Sequence, residues 1–124
     1  MHTIIAGGRE ITDPALVEEA VRACGWTITE VICGAARGAD TLGEAWAIAH
    51  NVPVKRMPAD WDRFGKRAGY LRNQEMANCA DALILIWSGT SRGSGHMLAI
   101  AHAMAHIRPF KIYEKVVPAP NAQV

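Results

Sequence analysis

Residues 82–87 read Ala-Leu-Ile-Leu-Ile-Trp, a run with no polar position. A strand with one wet face alternates apolar and polar residues. An unbroken apolar run of this length, bounded by Asp81 and the polar segment "SGTSRGSG", belongs to a strand covered on both faces. Such a strand needs helices above and below it, which points to a layered α/β domain with this run near the centre of its sheet.

The rest of the chain fits that demand. "HTIIA" is short, β-branched and stopped by glycines, as a buried strand would be. In "TDPALVEEAVRAC", Asp13 suits a helix N-cap and Pro14 its first position. Leu16, Val17, Ala20, Val21 and Cys24 share one helical face, and Gly25 ends the pattern. "TEVIC" reads as a second strand. The following helix is expected to turn Leu42, Ala45, Trp46 and Ala49 inward. "VPVKRM" is a short third strand, and the polar stretch "PADWDRFGKRAG" is a loop before a helix through "YLRNQEMANCA". After residues 82–87 come a glycine-rich loop, a helix "HMLAIAHAMAH" and a last strand "PFKIYE". Strands and helices alternate, so the expected fold is a single α/β domain over residues 1–114. It has a five-stranded, mainly parallel sheet with helices on both faces. Residues 115–124 hold two prolines and little periodicity, and read as a loosely attached tail.

A chain of 124 residues can bury one real core. Its net charge of +1 gives no global attraction to DNA or to an anionic membrane, unlike a strongly basic nucleic-acid binder. Cys24, Cys33 and Cys79 have neither zinc nor CxxC spacing, and they read as thiols of a reducing compartment. "MHTIIAGG" lacks the pattern of a secretory leader, and no apolar run spans a bilayer. The expectation is a soluble, cytoplasmic protein.

In an open parallel sheet, ligands bind outside the carboxyl ends of the strands. Those ends are Gly7-Gly8-Arg9, "GAARGAD", "PADWDRFGKRAG" and "WSGTSRGSGH". More than half of the 13 Lys and Arg residues lie there or in the helix turns that follow. Helix starts offer unpaired N–H groups, glycine permits close backbone approach, and arginine matches phosphate oxygens. An anion site is therefore expected around Gly34, Arg37, Gly38, Ala39 and Asp40, and around Arg92, Gly93, Ser94, Gly95 and His96. Asp40 reads in two ways, as a ligand contact or as an acid that caps its helix and neutralises Arg37. The chain lacks the GK[ST] ending of a P-loop and the third glycine of the dinucleotide fingerprint.

Arg72, Asn73 and Met76 share a helix face. Buried there, Arg72 and Asn73 need partners, either a ligand or an ion pair with Asp40, Asp60 or Asp62. Trp61 and Trp87 either pack or cover a base. His102 and His106 lie one turn apart with no third ligand nearby in sequence, so no metal site is expected. No cofactor is expected either.

"IAGGRE", "GAARGAD", "PADWDRFGKRAGYLRNQEM" and "SRGSGHM" together resemble the YspA-like branch of the SLOG superfamily, which unites the Smf/DprA and Lonely-guy proteins. The likeness runs from about Ile4 to Tyr113. It implies a Rossmann-like fold, a nucleotide or nucleotide-derived ligand, and a homodimer. Lonely-guy enzymes hydrolyse the N-glycosidic bond of nucleoside 5′-monophosphates, using an arginine on a helix and a glutamate after a PGGxGT loop. Arg72 matches that arginine, Ser94 stands for the threonine, and the glutamate falls at Met97. Methionine supplies no acid, so the resemblance favours a binder that senses or sequesters its ligand. In that reading Arg37 and Arg92 hold phosphate, Arg72 and Asn73 meet ribose or a second phosphate, and Asp60 meets ribose hydroxyls. Base-modified, cyclic and ADP-ribose-like nucleotides all fit. The alternative is a nucleotide N-glycosidase with Arg72 and with Asp60 or Glu75 as its carboxylate. A DprA-like single-strand DNA binder fits less well, because extended basic or aromatic grooves are absent from the sequence.

Overall fold

A computed structural model describes residues 1–118 of the chain. Five parallel strands form one sheet: β1 (His2–Gly7), β2 (Glu30–Cys33), β3 (Val54–Arg56), β4 (Ala82–Trp87) and β5 (Lys111–Val116). Their spatial order is β3-β2-β1-β4-β5. The chain first winds outward from β1 to β3, then returns to the other side of β1 and winds outward again. β1 and β4 therefore flank the switch point, and the crevice beyond their carboxyl ends is the place where this topology holds ligands.

Both faces of the sheet are covered. On one face, Leu83, Leu85 and Trp87 of β4 meet Met76 of α4 (Ala68–Cys79) and Met97, Ala101 and Met104 of α5 (Arg92–Ile107). On the other, Ile84 and Ile86 meet Val17 and Ala20 of α1 (Pro14–Cys24) and Ala39 and Ala47 of α2 (Ala39–Ala49). All six residues of β4 are buried, as its composition requires. Asp13 caps α1 by accepting from the Ala15 N–H at 3.0 Å, with Pro14 at the first helical position.

Three local expectations change. The buried face of α2 is Ala39, Asp40, Gly43 and Ala47, with Leu42 and Trp46 half-buried, whereas Ala45 and Ala49 are exposed. Small residues bring α2 close to β1, so bulk alone misreads its inner face. The loop before α4 contains α3 (Trp61–Phe64), capped by Asp60, and a 3-10 turn at Gly65–Arg67. Finally, β5 continues through Val116, and the Val117 N–H donates to Trp87 O at 2.8 Å. Residues 115–117 thus belong to the sheet and its border. The expectation of a loose tail beyond them falls on residues 119–124, outside the described residues.

Candidate functional site

The turn after β2 fixes one wall of the site. Gly38 has φ +83°, a conformation that costs other residues strain, and a Cβ there would sit 2.7 Å from Arg9 Cα. The turn is thereby pressed onto the loop after β1, and the Ala39 N–H donates to Gly8 O at 3.3 Å. Gly38 offers no side-chain cap to α2. Asp40, in the first turn of that helix, points instead into the interior, where only 5% of its surface is accessible. Its Oδ2 accepts from the Gly34 N–H at 3.1 Å.

Arg72 of α4 reaches the same turn from the opposite face of the sheet. Its Nη1 donates to Gly34 O at 2.6 Å and its Nε to Asn73 Oδ1 at 3.1 Å. A side chain at Gly34 would collide with the Arg72 guanidinium and lie 2.9 Å from Asp40 Oδ2. Gly34 is the gap through which the peptide is held by Asp40 on its N–H side and by Arg72 on its carbonyl side. Burial pushes the Asp40 carboxyl up to about 6, against the opposing pull of the Arg72 guanidinium and the Gly34, Ala36 and Gly7 N–H groups. Asp40 therefore fixes the turn and answers Arg72. The expected helix cap and the pairing with Arg37 do not form.

Asn73, also buried, carries the chain of contacts on to the loop after β4. Its Nδ2 lies 3.3 Å from Gly93 O and 3.2 Å from His96 Nδ1. Burial pulls the His96 pKa down, so the neutral ring accepts from Asn73. The Tyr70 ring packs edge-on against His96 at 4.4 Å between centroids. At the start of α5 the Ser91 side chain accepts from the Ser94 N–H at 3.4 Å.

These elements enclose a cleft of about 390 Å³ beyond the ends of β1 and β4. That volume lies in the range of small-molecule sites. Arg9, Arg37, Lys66 and Arg72 supply its positive charge, and Glu10 and Asp40 its carboxylates. Among the described residues, none of the four cations lies within ion-pair distance of an acid. Met76 and Met97 form apolar floor, each 1% exposed, and Trp61, Gly69 and Tyr70 stand at one side. Trp61 and Tyr70 are 56% and 45% exposed, well above what core packing leaves.

Ten of the residues expected from sequence line this cleft: Gly7, Arg9, Arg37, Asp40, Trp61, Arg72, Asn73, Met76, Gly93 and Ser94. Gly8, Gly34, Gly38 and Ala39 shape its turns without lining it. Several expected contacts lie elsewhere. Trp87 is core, and its indole N–H donates to Glu114 at 2.7 Å. Gly95 leaves space for the Trp87 ring, 3.6 Å from where a Cβ would stand. His96 stands behind Asn73, and Arg92 is exposed and off the cleft wall. Asp60 caps α3 through the Arg63 N–H at 3.2 Å. Asp60 and Glu75 line a separate recess of about 50 Å³, which Arg72 divides from the cleft.

Sequence reasoning missed Glu10, Lys66 and Tyr70 as cleft residues. Glu10 directly follows Arg9 in the first glycine turn, and that adjacency was the available signal. Lys66 and Tyr70 reach the cleft because the 3-10 turn folds the approach to α4 over it, which no periodicity reveals. Among the described residues, no helix is long and apolar enough to cross a membrane, and no three His, Cys, Asp or Glu side chains converge as a metal group.

Comparison with known proteins agrees with this architecture. The chain is 39% identical over 74 residues to the Gene 61 protein of Mycobacterium phage D29, covering 55% of this chain and 59% of that protein. It thus spans about three-fifths of the length of that relative. No solved structure matches. The family model described as "YspA, cpYpsA-related SLOG family" matches residues 1–64, a stretch from β1 through α3 that contains the first two glycine turns. The chain belongs to the YspA, cpYpsA-related SLOG family.

Proposed function

We propose that the protein binds a nucleotide or nucleotide-derived anion in the cleft beyond β1 and β4, as a sensing or sequestering module. The observation that carries this reading is the set of cations around one cleft, Arg9, Arg37, Lys66 and Arg72, none in an ion pair among the described residues. Unpaired arginines grouped at glycine turns and helix starts suit phosphate oxygens. Four cations against Glu10 and Asp40 leave a cationic site, which fits a phosphate monoester or a diphosphate better than a neutral metabolite. Trp61 and Tyr70 give a base a face and an edge to lie against. Membership of the SLOG family supports a nucleotide-related role.

A thermal-shift panel of nucleoside 5′-mono-, di- and triphosphates, cyclic nucleotides and ADP-ribose tests the proposal. At least one should raise the melting temperature of the wild type, and Arg37→Ala should lose that shift. A flat response to the whole panel would refute the reading.

Hydrolysis of a nucleoside 5′-monophosphate has one observation in its favour. Asp40, on the cleft wall, holds its proton up to about pH 6, as an acid that protonates a departing base must. Against it, Met97 occupies the position of the Lonely-guy glutamate, and Asp60 and Glu75 face the other recess. Free base and ribose 5-phosphate on incubation with AMP, lost in Asp40→Asn, would establish the hydrolase. Intact AMP at high enzyme concentration leaves the binder.

A further inference from the structure

Glu10 is the one charged cleft side chain whose buried atom has no internal partner among the described residues. Its Oε1 is sealed from solvent and accepts no hydrogen bond. The carboxylate lies directly over Gly8, where a Cβ would stand 2.6 Å from Oε2. The backbone beneath gives it nothing, because the Gly8 N–H is already taken by Ile86 O at 3.0 Å. Arg9 is adjacent in sequence, and Arg37 and Lys66 share the cleft, yet none forms an ion pair with it. A carboxylate oxygen held out of water without a donor is costly, and folds retain such groups where a ligand completes them.

The surrounding charge narrows what that ligand can offer. A donor to Glu10 carried on a cation would enter against Arg9, Arg37, Lys66 and Arg72. The donor must therefore be neutral and belong to a molecule that is anionic elsewhere. A vicinal diol answers both demands, because two adjacent hydroxyls can meet the two oxygens of one carboxylate. An acid on the ribose is also the way open α/β sheets read that sugar.

Resting on the nucleotide reading above, we infer that Glu10 is the ribose-recognising residue of the cleft, so that the ligand is a ribonucleotide and deoxyribonucleotides are discriminated against. Asp60, the sequence's candidate for that role, is occupied in capping α3.

The test is calorimetric titration of the wild type, Glu10→Ala and Glu10→Gln with AMP, 2′-deoxy-AMP, 2′,3′-dideoxy-AMP and IMP. The wild type should bind AMP at least about tenfold more tightly than the dideoxy analogue, the scale of a hydrogen bond to a charged group. Glu10→Ala should bind the two alike, and Glu10→Gln should keep part of the difference. Melting temperatures of both ligand-free variants should be at or above wild type, since an unpartnered buried oxygen is removed. Equal wild-type affinities for AMP and dideoxy-AMP would overturn the inference while leaving the nucleotide reading intact. Preference for AMP over IMP that Glu10→Ala removes, with no effect of the hydroxyls, would assign Glu10 to the base amine and overturn it as well. No binding of any of the four would overturn the ribonucleotide inference, and the phosphate panel above would then decide the broader reading by itself.

Discussion

The two ends of the sheet treat polar groups in opposite ways. At the amino end, the polar groups that pin neighbouring segments are matched within the protein. The N-terminal ammonium donates to Thr27 O at 2.8 Å, the His2 N–H to Asp81 at 2.8 Å, and Arg108 to the carbonyls of Ala77 and Ala80 at 2.7 and 2.8 Å. Arg108 closes the end of α4 and lies over the Phe110 ring. At the carboxyl end, Arg9, Arg37 and Lys66 have no acid partner, and Glu10 has a sealed oxygen with no donor. Matched groups at one end hold the fold together. Unmatched groups at the other are available to a ligand, at some cost to stability.

Substitutions can break this contrast in order of size. The largest effect belongs to Gly38→Ala. Its φ of +83° and the contact with Arg9 Cα leave no room for a methyl group. We expect a loss of about 3 kcal/mol or more of unfolding free energy in urea melts, with loss of ligand binding. Arg72→Ala should follow, because it removes both a cleft cation and the bond to Gly34 O. Affinity for AMP by calorimetry should fall about a hundredfold. Arg37→Ala, exposed and free of internal bonds, should cost about tenfold in affinity without moving the melting temperature. Arg108→Ala should do the reverse, costing about 1–2 kcal/mol in stability and nothing in affinity. An Arg108→Ala variant that binds ligand poorly, or an Arg37→Ala variant that unfolds early, would dissolve the distinction between the ends.

Asp40 sharpens the same contrast through pH. Its carboxyl is pushed from an ordinary 3.8 to about 6 in the folded protein. Folding therefore takes up a proton between those values. The contribution to stability is fully present below about pH 3.8, declines as the pH rises toward about 6, and is gone above it. A shift of this size corresponds to about 3 kcal/mol. In Asp40→Asn, which still accepts from the Gly34 N–H, unfolding free energy between pH 4 and 6 should lose that slope. At pH 7.5 the variant should be at least as stable as the wild type. An unchanged slope in Asp40→Asn would place the titrating group elsewhere.

The fold was legible because β4 has no polar residue and every strand run ends at a glycine or a proline. The inner face of α2 was not, because Gly43 and Ala47 are buried by close approach and carry no hydrophobic bulk to announce it. The site was legible in part. The glycine turns placed Arg9, Arg37, Asn73 and Ser94 correctly at one edge, and the SLOG resemblance pointed to Arg72. Trp87 was misread because its indole looks alike whether it faces a base or, as here, Glu114 on the neighbouring strand. Asp40 was misread because a first-turn acid ordinarily faces the helix end. Here the turn from Gly34 to Gly38 rotates it inward. Glu10 and Tyr70 depend on how two loops meet over the sheet, a relation with no fixed spacing along the chain.

The central claim is that unpaired cations at the carboxyl end form an anion site. Titration of the wild type and Arg37→Ala with AMP, at low and at raised salt, tests it most directly. The account predicts one AMP per chain, weaker binding at high salt, and an Arg37→Ala variant that loses both affinity and most of the salt dependence. Equal affinities for the two proteins at both salt concentrations would contradict it.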